Sequence, residues 1–486
     1  MIFTMKNKFF KWFLICAFWL LLWQVAAVIV GNKLLLPSVA DTARGIVKLL
    51  TDGKFYLDAT ATIARCVVAI FFSLVFGAFL SVASYRRKIV RDILALPVAL
   101  FKSIPVMAVA IYMILLLTAG GVPVFVCFVM CFPIVYTNLL TGLDSMDRNL
   151  LEMAKVYDIT GSRRLRFVYL PSLYPYFKSA MSLIAGMSWK AIVTAEVLSI
   201  PKFSLGYELM NSKYYLNTDL LFAYVAIIIA ISIIFEKVIK NAVMLLEPRE
   251  YAGSKILNRK VINEKSNSHN ICFDNLNNIG INNIENIDSI NTETLKVKEN
   301  ILLILDSISK SFGDKQVLNN FSMELPIGSV TACMGKSGSG KTTLLRIIAG
   351  LETADSGEVN VNAKKISVLF QEDRLLPWLN VYDNLAIVCS DPNRIKQLLA
   401  AVGLESDTPK LPAELSGGMK YRLAMARAFA YDGDLLLADE PFQGLDEDTK
   451  ASVIEKLWKP GIAGKTVFFA THSQDDKFLA SFTLNL

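Results

Sequence analysis

The sequence predicts two fold classes in one chain: an all-α transmembrane domain of six spans, followed by an α/β domain built on a parallel sheet. Three observations carry this. Apolar residues make up 53% of the 486-residue chain and charged residues only 19%, a balance unusual for a soluble protein. Six apolar runs long enough to cross a bilayer occupy the first half. A glycine loop, GKSGSGKT, stands between an apolar strand and a helix in the second half. A chain of this length also exceeds what one core holds, so separate domains are expected.

The apolar runs lie near residues 12–31, 60–84, 94–117, 121–141, 176–199 and 219–239. The third and fourth are separated by the tight Gly-Pro turn AGGVP. The first follows Lys6, Lys8 and Lys11, lacks a small-residue cleavage site, and is read as a retained span. If the spans alternate, those lysines fall on one side with Arg86, Arg87, Lys88 and Arg91, and with the basic stretch 151–171. The positive-inside rule makes that side cytoplasmic, with Lys237 and Lys240 returning to it after the sixth span. The net charge of +7 thus reads as membrane orientation and not as nucleic-acid binding. The seven cysteines contain no C-x-x-C pair; Cys127 and Cys131 share a helix face and are read as packing residues.

Three regions follow: a transmembrane domain over 1–248, an Asn-rich linker over 249–300, and an α/β domain over 301–486. The linker has Phe273 as its single aromatic beyond residue 251 and is expected to be disordered. About 50 flexible residues span roughly 40 Å, enough to tether the next domain nearby without fixing its pose. From 301 onward, GSVTACMG is a strand entering the glycine loop, TTLLRIIAG is a helix closed by Gly350, and DLLLAD and KTVFFAT are continuous apolar strands of a buried parallel sheet.

Gly335, Lys336, Ser337, Gly338, Ser339, Gly340, Lys341 and Thr342 match G-x-x-x-x-G-K-[ST] at every fixed position, and Thr343 follows. The glycines let the backbone wrap around phosphate and aim N–H groups at it, and the helix start adds its positive dipole end. Lys341 is expected on the β- and γ-phosphates of ATP and Thr342 on Mg²⁺. LLLADEP carries Asp439 to a strand end, where it holds the magnesium shell, and Glu440 next to it can orient or deprotonate the attacking water.

With LSGGM (Leu415, Ser416, Gly417, Gly418 and Met419) shortly before the Asp439 strand, the second half resembles the cassette of ATP-binding cassette (ABC) transporters. The resemblance implies a Q-loop role for Gln371, catalytic and close to the metal, and a D-loop role for Asp446. It also implies a γ-phosphate contact for His472, one of two histidines, and adenine stacking on Phe312. Met419 stands where many members have Gln. Few residues follow His472, so a regulatory C-terminal domain is not expected.

The charged stretch 151–171 is similar to the "EAA" loop of ABC importer permeases, with Glu152, Met153 and Ala154 opening it and Val168, Leu170 and Pro171 closing it at the family spacing. Asp158 occupies the family's glycine position, and Gly161 is expected to supply the missing flexibility. The resemblance implies a coupling helix that docks on the ATPase near the Q-loop, with Val156, Ile159 and Leu165 available for burial. SWKAIVTAEVL, SLGYELM and FQEDRLLPWLNVYDNL are similar to the branch that imports nitrate, sulfonates and taurine, which also contains relatives handling thiamine precursors. Lys190 and Glu196 fall inside the fifth span without sharing a helix face, and either line the passage or serve structure.

The resemblance implies a fused permease and ATPase in the cytoplasmic membrane with its cassette in the cytoplasm. It implies a homodimer served by a separate extracytoplasmic solute-binding protein, and ATP-driven import of a small anion. A pyrimidine-type vitamin precursor is the alternative substrate. An exporter would carry long cytoplasmic helical extensions, which are absent from this reading.

Overall fold

The computed structural model describes residues 2–246 and 301–486; the expected linker, with His269, lies outside the described residues. Two compact units are present. One joins Met1–Met146 to Ser172–Glu247, and the other joins Asp147–Pro171 to the chain from Pro248 onward. A division by sequence alone leaves 147–171 with the membrane helices that flank it; its packing puts it with the α/β sheet.

The helices of the first half are α1 (Ile2–Val30), α2 (Val39–Thr51), α3 (Gly53–Arg86), α4 (Lys88–Ser103), α5 (Val106–Ile114), α6 (Gly121–Asp144), α7 (Arg148–Val156), α8 (Gly161–Arg164), α9 (Leu170–Ser199), α10 (Leu205–Tyr214) and α11 (Thr218–Leu245). Among the described residues five helices are long and apolar enough to cross a membrane; α4 and α5 pass the same test only as a pair, bent by 100° between them, which is either one broken crossing or a re-entrant loop. The third apolar run is therefore interrupted at Ile104 and Pro105. The reason is local: Ile104 precedes Pro105, which disfavours helical backbone at Ile104 and removes a hydrogen-bond donor.

Within the membrane unit, α3 and α6 approach closely where Gly77 faces Val135; a Cβ at Gly77 would stand 2.6 Å from Val135 Cγ1. Cys66, Cys127 and Cys131 are buried in the same cluster, with 3.9 Å between the sulfurs of Cys127 and Cys131. Glu196 is fully buried and takes a bond of 2.6 Å from Arg65, one of 3.0 Å from Thr62 and one of 3.2 Å from the Gly206 amide. Arg65 also donates to the carbonyls of Lys202 and Phe203. Glu196 thus pins the 200–206 turn to α3, which assigns it the structural one of its two readings. Lys190 is exposed.

The second unit contains β1 (Ile301–Phe312), β2 (Lys315–Pro326), β3 (Val330–Met334), α12 (Lys341–Ile348), β4 (Ser356–Val361), β5 (Ile366–Leu369), α13 (Val381–Ala386), α14 (Pro392–Ala401), α15 (Gly417–Tyr431), β6 (Leu435–Asp439), α16 (Glu447–Val453), β7 (Thr466–Thr471) and β8 (Phe482–Asn485). β2-β1-β4 form an antiparallel sheet and β5-β6-β7-β3-β8 a parallel one. Every residue of β6 and β7 is buried, as expected for strands covered on both faces. Three site segments leave this sheet together: the glycine loop after β3, Glu440 after β6 and His472 after β7.

Candidate functional site

The glycine loop is shaped by left-handed backbone at Gly338 (φ +82°) and Gly340 (φ +104°), which glycine adopts without strain. Lys341 is buried, and its Nζ donates to the carbonyls of Gly335 at 2.8 Å and Lys336 at 2.9 Å, so the loop folds around its own lysine. Ser339 Oγ is buried without a hydrogen-bond partner. Phe312 ends β1 half exposed, with the Lys310 ammonium 5.2 Å from its ring centroid.

Thr342, Gln371 and Asp439 line one cavity of about 230 Å³. Burial pushes the Asp439 carboxyl up, and a hydrogen bond from Thr342 opposes this. A hydroxyl, an amide and a buried carboxylate lacking a cation are a donor set that fits a hard divalent ion. Among the described residues no cluster of three His, Cys, Asp or Glu could hold a metal.

Glu440 has φ +49°, an uncommon conformation for a non-glycine residue and one found at functional sites. Its Oε1 lies 3.1 Å from His472 Nδ1, while its buried Oε2 has no partner and is free to accept a proton. Tyr421 Oη donates to the Glu440 carbonyl at 3.0 Å, tying α15 to the turn after β6. Gln371 reaches Gln443 at 3.4 Å.

Ser416 caps α15 by accepting from the Met419 amide, and Asp446 caps α16 by accepting from the Thr449 amide, a bond that holds its carboxyl below the usual range. Gly417 and Gly418 have open space where a Cβ would stand. Among the described residues no hydrogen bond or ion pair joins 415–419 to the glycine loop. Ser416 and Gly417 are exposed, whereas Leu415 is buried and Met419 packs half-buried against the core of the sheet.

The 147–171 loop is anchored in this unit by both packing and hydrogen bonds. Leu150, Met153, Ala154, Tyr157, Ile159, Phe167 and Val168 are buried in the same core as the sheet. Glu152 receives 2.9 and 2.7 Å bonds from Arg346 of α12 and a 2.8 Å bond from Arg374. The Arg346 guanidinium, with Arg374, holds the Glu152 carboxyl below its usual range against the opposing effect of burial. Lys155 donates to the Gly350 carbonyl at 2.6 Å, Trp378 to the Phe167 carbonyl at 2.7 Å, and Arg163 to the Ile387 carbonyl. Asp158 and Gly161 are both left-handed, at φ +49° and +56°. Leu165 and Leu170 are exposed, so Leu165 does not take part in the burial expected of it; Pro171 is half buried.

Sequence reasoning missed Arg346, Arg374, Arg427, Tyr421 and Tyr431. Arg346 and Arg374 sit three or four residues from recognised motifs, and that proximity is the one signal available. Glu152 lies 194 positions from Arg346 and 222 from Arg374, and no spacing rule reaches that far.

Residues 318–443 match the family model described as ABC transporter, and residues 73–250 match the one described as binding-protein-dependent transport system inner membrane component. The aliphatic sulfonates import ATP-binding protein SsuB 1 of Paracoccus denitrificans is 42% identical over 178 residues, 35% of this chain and 73% of that protein. The corresponding SsuB of Escherichia coli K12 is 39% identical over 191 residues, 37% of this chain and 74% of that protein. A solved dimeric ATP-binding cassette in a post-hydrolysis state with ADP and Pi aligns at 28% identity and TM-score 0.36, over 38% of this chain and 94% of that one.

Proposed function

The chain belongs to the ABC transporter family, a fused permease and ATPase of the importer type, and we propose that it imports a small sulfonate-type anion across the cytoplasmic membrane at the expense of ATP. The family's cassettes bind ATP. Two copies would make the complete machine, each ATP lying between the glycine loop of one chain and the LSGGM segment of the other, with the cassettes in the cytoplasm. A separate solute-binding protein would deliver the substrate.

The observation that carries this reading is the Glu152 clamp. One carboxylate of a permease loop is held at once by Arg346, on the helix that begins at Lys341, and by Arg374, three residues beyond Gln371. Both arginines line the cavity that contains Thr342, Gln371 and Asp439. Any rearrangement of that cavity around nucleotide is therefore felt by the loop, as a change in the relative stability of two permease states.

In the reaction, Lys341 and the loop amides bind and orient the phosphates. Thr342 and Asp439, with Gln371, would hold Mg²⁺, whose charge stabilises the transferring phosphoryl group. Glu440 accepts the proton of the attacking water through its unpartnered Oε2. His472 holds Glu440 in place through Oε1 and would contact the γ-phosphate of bound ATP.

Glu440→Gln should lower steady-state ATP hydrolysis on the order of 10²- to 10⁴-fold while nucleotide still binds; unchanged hydrolysis removes Glu440 from the base role. Substrate class is tested in proteoliposomes with the cognate binding protein. Uptake of an alkanesulfonate supports the reading. Uptake of an aminopyrimidine instead of any sulfonate replaces it, and leaves the ATPase chemistry in place.

A further inference from the structure

The loop meets the cassette at a second place, away from the nucleotide cavity. Arg427 and Tyr431 are four residues apart on α15, so they share one helix face. Tyr157 lies against that face: its ring centroid stands 5.2 Å from that of Tyr431, edge to face, and 5.3 Å from the Arg427 guanidinium. The Tyr157 hydroxyl donates to the Val368 carbonyl at 2.7 Å. Asp158, the next residue, accepts a 2.6 Å bond from the Tyr431 hydroxyl.

Arg427 is buried and, among the described residues, pairs with no carboxylate; it donates instead to the carbonyls of Arg374 at 2.9 Å and Asp373 at 3.0 Å. Its charge is held by two backbone dipoles and the face of the Tyr157 ring. Asp158 meets Tyr431 from a left-handed backbone, a conformation costly for most residues but tolerated by Asp and Asn. A strained residue whose side chain meets one defined donor is a constraint with a purpose.

We propose that Tyr157 and Asp158 form a recognition key that reads an Arg-x-x-x-Tyr face on the cassette, and that this key selects a cassette of this chain's own kind and positions α15, whose other end carries LSGGM. Tyr157 is the anchor and Asp158 the discriminator, since the latter bond requires a hydroxyl at position 431. This rests on reading 147–171 as the permease's docking loop.

The test is amide hydrogen exchange of the loop in the full-length protein in nanodiscs. Asp158→Ala and Tyr431→Phe should each speed exchange over 150–160 about two- to tenfold, the effect of losing one hydrogen bond. The double variant should exchange no faster than either single one. Asp158→Asn keeps an acceptor and the left-handed turn, and should exchange like wild type. Tyr157→Leu should exceed the other variants and Tyr157→Phe should fall below them, because the ring makes most of the contact.

Independent, additive effects of Asp158→Ala and Tyr431→Phe overturn the key, as does Asp158→Asn behaving like Asp158→Ala. If Tyr157→Leu does not fold, the Asp158–Tyr431 cycle decides alone. A loop already unprotected in the wild type would instead refute the docking reading itself, whereas a protected loop indifferent to all variants refutes only the key.

Discussion

Glu152 and Glu196 are both glutamates clamped by arginine, yet they do opposite work. Glu196 is buried among apolar helices and meets Arg65 and Thr62 of α3 and the Gly206 amide of α10, all inside the membrane unit. Glu152 keeps about a quarter of its side chain exposed and is shared between two arginines on separate elements that border the nucleotide cavity. The difference teaches that an ion pair's role follows from what its partners are attached to. A pair buried among packed helices of one unit locks them together; a pair whose partners line a ligand cavity can report movement there.

The comparison breaks first, and hardest, at Glu196. Glu196→Ala should strand Arg65 and cost about 3–5 kcal/mol, seen as loss of folded protein from detergent extracts; the double change Arg65→Met with Glu196→Leu should recover much of it. A tolerated Glu196→Ala would mean that the pair is not structural. Glu152→Ala should cost less, about 1–3 kcal/mol of docking free energy, read as faster exchange in 150–160 and fewer solutes carried per ATP. Unchanged transport per ATP would remove Glu152 from the link.

pH sharpens the contrast. The Glu152 carboxyl is depressed in the folded state, so its contribution is complete above the ordinary carboxylate range and is lost as pH falls through the depressed value. Loop protection should be flat between about pH 6 and 8 and decline only below about pH 4.

Asp383 behaves in the opposite sense. Burial pushes its carboxyl up to about 6, against a smaller pull from Asn380. The folded state is favoured while that group is protonated and loses the advantage as pH rises through this value. Asp383→Asn should stabilise the ATPase unit at pH 7.5 by roughly 1–3 kcal/mol and flatten its melting profile between about pH 4 and 6. An unchanged profile would show that Asp383 is relieved by solvent.

The sequence by itself determined the parts whose physics is local. Spans follow from runs of apolar residues, because each must satisfy its own backbone in lipid. The glycine loop follows from residues a few positions apart, because one phosphate-sized turn is built from one short segment. Asp439 and Glu440 were legible for the same reason, as the end of one buried strand. The bend at Pro105 was written in the sequence as well, yet a long apolar run masked it.

Only the tertiary structure decided the rest. It set Arg346 and Arg374 on Glu152, Arg65 on Glu196, and Arg427 and Tyr431 against Tyr157 and Asp158. It also moved 147–171 out of the membrane unit and into the core of the sheet. Each of these joins residues far apart in the chain, and periodicity carries no information about such pairs. Asp158 shows this most directly. In sequence it looks like a departure at a glycine position that Gly161 must make good; in the fold both residues are left-handed, and the aspartate is held there by a hydroxyl 273 residues away.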